Sequence, residues 1–184
     1  DNAALDIVGD IDIRIDVTLA DWTLATEQIL VAKWTQAGNQ RSYFVSISPT
    51  GNIVLGWSTD GITPTFAVST IPVPIGNNER IAILVQLDVN NGIGGYTAAF
   101  YTAPTINSAF SPLGAFVVTT AGITSIFSSS AILEVGSVDI GTGSFAIGTI
   151  HGIEVRNSLG GTAVANPVFW AQATGATSFA DSAG

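Results

Sequence analysis

Between Gly9 and Val17 the sequence reads GDIDIRIDV, in which Ile11, Ile13, Ile15 and Val17 alternate strictly with Asp10, Asp12, Arg14 and Asp16. A helix would scatter these apolar positions around its circumference, whereas a strand sends successive side chains to opposite faces. The run is therefore a strand with one apolar and one charged side. It belongs to an antiparallel sheet that covers a core on one face, because strands of an all-parallel sheet are buried on both faces and read as continuous apolar runs. The charges stand out in a chain of 184 residues with only 14 Asp plus Glu and 5 Lys plus Arg. What the charged side does is the functional question.

Further runs rich in β-branched and aromatic residues lie between clusters of Gly, Pro, Asn and Ser, and each predicts a strand. They span Glu27–Trp34, Ser42–Ser48, Asn52–Ser58, Phe66–Thr70, Glu79–Val89, Gly95–Ala103, Ala131–Ser137, Phe145–Asn157 and Thr162–Gln172. Pro49, Thr50 and Gly51 read as a short hairpin loop. No window of a dozen residues carries a helical period with caps, so very little helix is expected, with one short 3₁₀ turn near Ile123–Phe127. Nine or more strands without crossover helices leave a sandwich or a barrel. The inward aromatics Trp57, Tyr96 and Phe100 overfill a small barrel, so the expected fold is all-β, a two-sheet antiparallel sandwich. In FAIGTIHGIEVRN the apolar positions Ile150, Ile153 and Val155 slip phase, which a β-bulge at His151 and Gly152 would repair.

Composition narrows the class. A chain of this length buries roughly 70% of its unfolded surface in one core. With no repeat, charge block or low-complexity linker, residues 1–184 read as a single domain, a processed chain or a piece of a longer one. There is no Cys, hence neither a disulfide nor a thiolate metal site. Mean hydropathy is +0.47, yet no apolar segment approaches the roughly 20 residues of a membrane helix. The net charge of −9 with five basic residues offers nothing to neutralise phosphates, which argues against nucleic acid and anionic membranes.

GDIDIRIDV, ILVAKW, the WSTDG turn, LDVNNGIGGYTAAFYT, LEVGS and GTIHGIEVRNSLGGT together resemble a concanavalin A-like lectin or laminin G-like jelly roll. More narrowly, they resemble the version found in minor tail, fibre and other virion proteins of bacteriophages, particularly those of actinobacteria, and in related bacterial surface proteins. The likeness runs from Ala3 to Asp181, and its motifs are structural rather than catalytic. It implies that the opening strand pairs with GTIHGIEVRN, setting Asp10, Asp12, Arg14 and Asp16 across from Glu154 and Arg156. Opposite charges facing across such a pair contribute about 0.2–1 kcal/mol each. The expectation is a solvated ladder that fixes register, with a ligand or partner site as the alternative. The resemblance also implies an extracellular or virion-surface location.

Catalysis finds little support. Glycosidases of this fold use two carboxylates about 5–5.5 Å apart for retention, commonly as a Glu-x-Asp-x-x-Glu run, whereas Glu27, Glu79, Glu134 and Glu154 fall on four separate segments. His151, the sole histidine, sits at the expected bulge and reads as structural. A non-enzymatic module is expected. Calcium fits the available oxygens better than zinc, and Asp88, Asn90 and Asn91 in DVNNGIGG are its candidate ligands. The same Asn-Asn-Gly also suits a tight turn. Asp60, beside Gly61, is a hairpin residue first and a ligand contact second. Phe44 and Tyr101 stand among small polar residues on the outward faces of their strands, which makes each a candidate glycan platform or subunit contact, or a ring covered by its own chain. The expected partners are cell-surface glycans and other virion subunits, including further copies of this chain. A purely structural assembly module is the alternative, and the glycan-targeting domain of a hydrolase a minor one.

Overall fold

The computed structural model describes residues 2–167, 169 and 181–183. Its strands are β1 (Ile11–Leu19), β2 (Gln28–Thr35), β3 (Gln40–Ile47), β4 (Ile53–Ser58), β5 (Pro64–Val68), β6 (Arg80–Asp88), β7 (Thr97–Ala103), β8 (Ser111–Pro112), β9 (Val117–Val118), β10 (Glu134–Val135), β11 (Gly148–Arg156) and β12 (Ala163–Ala165). They form two antiparallel sheets. One runs β12-β11-β1-β6-β7-β8, with β9 also on β7; the other runs β10-β2-β3-β4-β5. The fold is the all-β sandwich that the alternation predicts.

The inner faces meet in one apolar cluster. Ile11, Ile13, Ile15 and Val17 of β1, Ile83, Val85 and Leu87 of β6 and Phe100 of β7 pack with Tyr43, Val45 and Ile47 of β3 and Ile53, Leu55 and Trp57 of β4. Each fully buried aliphatic or aromatic side chain stabilises the fold by about 1.5–3 kcal/mol. The long strand β11 pairs with β1 as expected, placing Asp12 opposite Arg156 and Arg14 opposite Glu154. Asp16 faces Gly152 and Val17 faces Ile150, so His151 is the extra residue of the bulge that the phase slip calls for. The Pro49–Gly51 loop closes as a hairpin, with Ser48 N donating to Asn52 O at 2.9 Å and Gly51 at φ 78°.

Three expectations about single segments need correction. Ile123–Phe127 forms no 3₁₀ turn. It runs as an extended strap, because Ile126 is drawn into the core and the N–H groups of Ile126 and Phe127 donate to Val8 O and Ser58 O at 3.1 and 2.7 Å. Short 3₁₀ turns occur instead at Ala3–Leu5 and Ala37–Asn39. The run Ala131–Ser137 contributes only two ladder residues, ending where Gly136 turns to φ 76°. Within the described part of the run Thr162–Gln172, Ala163–Ala165 form the ladder, Pro167 having no N–H to extend it; Val168 and residues 170–172, with Trp170, fall outside the described residues.

Of the readings open for Phe44, the structure shows the ring covered by its own chain. Its ring lies on the outer face of the five-stranded sheet, as the alternation says, but only 6% of it is exposed. Trp34 meets it edge-on at 5.1 Å between centroids and Phe66 at 6.2 Å. Gly56, its cross-strand neighbour, leaves the space the ring fills, since a methyl group there would overlap the ring carbons. With Ile29, Ala32 and Val54 it makes a second, smaller apolar cluster. Phe44 is therefore a packing residue and not a platform for a ligand.

Candidate functional site

The outer face of the seven-stranded sheet carries the charges of β1, and its two aspartates are not solvated. Asp12 is fully buried and Asp16 is 1% exposed. Asp12 accepts from Arg14 Nε at 3.0 Å, Gln86 Nε2 at 3.0 Å and the backbone N–H of Gly160 at 3.1 Å. Asp16 accepts from Arg80 Nε and Nη2 at 2.7 and 2.9 Å and from the N–H of Ile106 at 3.0 Å. Asp10 accepts from the N–H of Val89 at 2.9 Å. Each aspartate thus pins a loop to the sheet, and those loops roof the face that was expected to be wet. Arg14 also lies 3.6 Å from Glu154, which pairs with Arg156 at 2.8 Å, and the guanidinium of Arg14 sits 5.8 Å from the centre of the Phe110 ring.

Burial works to raise the Asp16 carboxyl, but its bonds to Arg80 and to Ile106 N–H, with the charges of Arg80 and His151, hold it below the usual carboxylate range. His151 Nε2 meets Thr18 Oγ1 at 3.0 Å. The bulge residue is thereby tied to β1, which fits its structural reading.

The loops leave two recesses on this face. One, of about 250 Å³, is lined by Gln86, Asp88, Asn91, Thr97, Ala99, Tyr101, Phe116 and Leu159. It unites Tyr101, Asp88 and Asn91, three of the residues singled out in the sequence. Tyr101 and Phe116 stand 5.6 Å apart with planes tilted by 55°, and Phe116 is 43% exposed. Burial, with a smaller contribution from the Asp12 charge, pushes the Tyr101 phenol above its ordinary range. The Phe116 ring beside Tyr101 offers an apolar stacking surface, while Gln86, Asp88 and Asn91 next to it already hold bonds to Asp12 and to the Asp88–Gly95 loop, so a ligand there would use only their remaining donor and acceptor capacity. The other recess, of about 530 Å³, is lined chiefly by Arg80, Asn107, His151, Gly152, Glu154 and Asn166.

The remaining sequence candidates do other work. Asp60 is exposed and spends both oxygens on the β4–β5 turn, accepting from the N–H groups of Ile62 and Thr63 at 2.8 and 2.7 Å and from Thr63 Oγ1 at 3.0 Å. These bonds hold its carboxyl far below the usual range. In the Asp88–Gly95 loop, Asp88 accepts from Asn90 N–H at 3.0 Å and Asn90 from Gly92 N–H at 3.4 Å, while Asn91 Oδ1 accepts from Ile93 and Gly95 N–H, both at 3.2 Å. Calcium takes six to eight oxygen ligands. These oxygens are turned onto amide hydrogens instead, and among the described residues no group of three or more His, Cys, Asp or Glu could hold a metal ion. The bonds these side chains make are those of the tight turn.

No protein-family model matches the sequence, and no curated protein matches it. Solved structures do. The CBM40 of the Ruminococcus gnavus IT-sialidase, bound to α2,3-sialyllactose, superposes with a TM-score of 0.61 at 14% identity over 85% of this chain and 80% of that one. The native heptameric SAP-like pentraxin of Limulus polyphemus gives 0.54 at 13% over 84% and 68%. The leech intramolecular trans-sialidase gives 0.53 at 16% over 84% of this chain and 22% of that one. The likeness is one of fold. It confirms the jelly-roll sandwich.

Sequence reasoning reached Tyr101 through its strand position but missed Phe116, which lies in a loop with no periodicity. Gln86 was legible only as one more outward residue of β6. Asn107 and Arg80 gave no signal of their own, because a loop and a strand end meet there only after Asp16 anchors Ile106.

Proposed function

We propose that this chain is a non-enzymatic glycan-binding module displayed on a particle or cell surface, in its finer form a bacteriophage virion protein of tail, fibre or capsid decoration that engages host-cell glycans. The observation that carries this reading is the recess beside the Tyr101–Phe116 ring pair, flanked by Gln86, Asp88, Asn91 and Thr97. Ring faces stack on the C–H side of a pyranose while the polar neighbours bond its hydroxyls, the combination that small-ligand sites use for orientation and affinity. The fold shared with a module bound to a sialyllactose supports the ligand class. The glutamates support the non-enzymatic part. Glu27 accepts from Ser46, Glu79 from Gly76 N–H, Glu134 from Ile140 and Gly141 N–H, and Glu154 pairs with two arginines, so each has a structural engagement.

A glycan array probed with the wild-type chain, with and without a calcium chelator, tests the reading. Selective binding that survives chelation and is lost in both Tyr101→Ala and Phe116→Ala, with unchanged circular dichroism, is the expected result. Unselective binding, or binding indifferent to both substitutions, would sink it.

One observation favours a second reading, a purely structural assembly module. On β5, which ends its sheet, Phe66 and Val68 are 53% and 44% exposed, and no Lys guards the strand. A stable oligomer by light scattering, without glycan affinity, would favour assembly over recognition.

A further inference from the structure

The larger recess on the same sheet face has a chemistry that the Tyr101 cleft lacks. The chain has four arginines and one histidine. Arg14, Arg80, Arg156 and His151 all belong to β1, β6 and β11 of this one sheet. Elsewhere, Arg41 is spent on the carbonyls of Gly61 and Ile62, and Lys33 is fully buried beside Asp6 at 3.2 Å. In a molecule of net charge −9, this face gathers three of the five basic residues, although its aspartates and Glu154 still outnumber them.

Arg80 gives Nε and Nη2 to Asp16, and its side chain is 48% exposed. Among the described residues its Nη1 takes no hydrogen bond, and neither does the side-chain amide of Asn107. Glu154, also in the lining, is neutralised by Arg14 and Arg156. The floor is open at Gly152, where an added methyl group would meet nothing within 4 Å. A space of about 530 Å³ lies within the range of small-ligand sites.

We propose that this recess is a second saccharide subsite, one that takes the carboxylate of an acidic sugar against the free edge of the Arg80 guanidinium and the Asn107 amide. Charge-assisted hydrogen bonds of that kind are roughly twice as strong as neutral ones, which selects a sugar acid over its neutral counterpart. The pre-formed Arg80–Asp16 pair fixes the guanidinium plane, so little side-chain freedom is lost on binding. The proposal rests on the glycan reading only in taking a sugar as the bearer of the carboxylate.

Ligand-observed NMR on the full chain, with glucuronate, glucose and acetate as probes, tests it. Glucuronate should bind at least about tenfold more tightly than glucose or acetate, a difference of about 1.4 kcal/mol. Its binding should weaken with added salt. It should be lost in Gly152→Leu, which fills the floor without a strained backbone angle, reduced in Asn107→Ala, and retained in Tyr101→Ala. Equal binding of glucose or acetate, or glucuronate binding that Gly152→Leu leaves intact while Tyr101→Ala abolishes it, would overturn the proposal. Because the Tyr101 cleft is scored separately with neutral glycans, either site can fail without the other.

Discussion

Asp12 is a charged side chain with no exposed surface, in a protein where acids outnumber bases 14 to 5. Cations alone cannot satisfy that excess, and the backbone supplies the remaining donors. Asp10, Asp12 and Asp16 each accept one loop N–H, and Asp60 and Glu134 accept two. Carboxylates bonded in this way act as staples. Truncating one leaves buried donors without a partner, which costs about 3 kcal/mol when a buried charge pair is broken. Asp12→Ala should therefore destabilise the fold by about 3 kcal/mol in urea titration, and Asp12→Asn by less, since one acceptor oxygen survives. The pH dependence follows from Asp16. Its folded-state carboxyl titrates below the ordinary value, so the stability it contributes is complete above the unfolded value of about 4 and is lost as pH falls through the folded one. The urea midpoint should be flat down to about pH 4 and drop below it, and Asp16→Asn should lessen that drop, the remainder belonging to Asp60, whose carboxyl is also held low.

Among the elements, β1 and β11 were the most legible, because their two faces differ sharply and a phase slip in a strand has few physical solutions. The bulge at His151 and the pairing of β1 with β11 both appear where the sequence reading put them, although Asp16 faces Gly152 rather than a charge. The elements that sequence misplaced are those held by distant partners. The Ile123–Phe127 strap follows bonds to Val8 and Ser58 rather than to itself, and β8 and β9 are two-residue rungs with no period to read. Phe44 shows the limit of alternation, which says which face a ring points to but not what later lands on that face. As a core ring it should lose about 3–5 kcal/mol of stability in Phe44→Ala, with glycan binding of the folded fraction unchanged. Gly56→Ala should cost about 1–3 kcal/mol through overpacking against the Phe44 ring, and thermal unfolding of the two variants ranks them.

At the scale of the molecule, two sheets share one dry core and divide the remaining work. The outer face of the five-stranded sheet is closed by its own aromatics, whereas the outer face of the seven-stranded sheet is polar and roofed by loops that leave two recesses open. Half of the aromatic cleft was visible in sequence as Tyr101; the other half, Phe116, was not, because only the folded path of the loop before β9 brings it there. Among the described residues no helix is long and apolar enough to cross a membrane. The most direct test compares the glycan affinity of three folded proteins by titration calorimetry: wild type, Tyr101→Ala on the seven-stranded sheet, and Phe66→Ala on the five-stranded sheet. Affinity lost with Tyr101→Ala and kept with Phe66→Ala is the predicted outcome; the reverse pattern would place recognition on the wrong sheet and contradict the account.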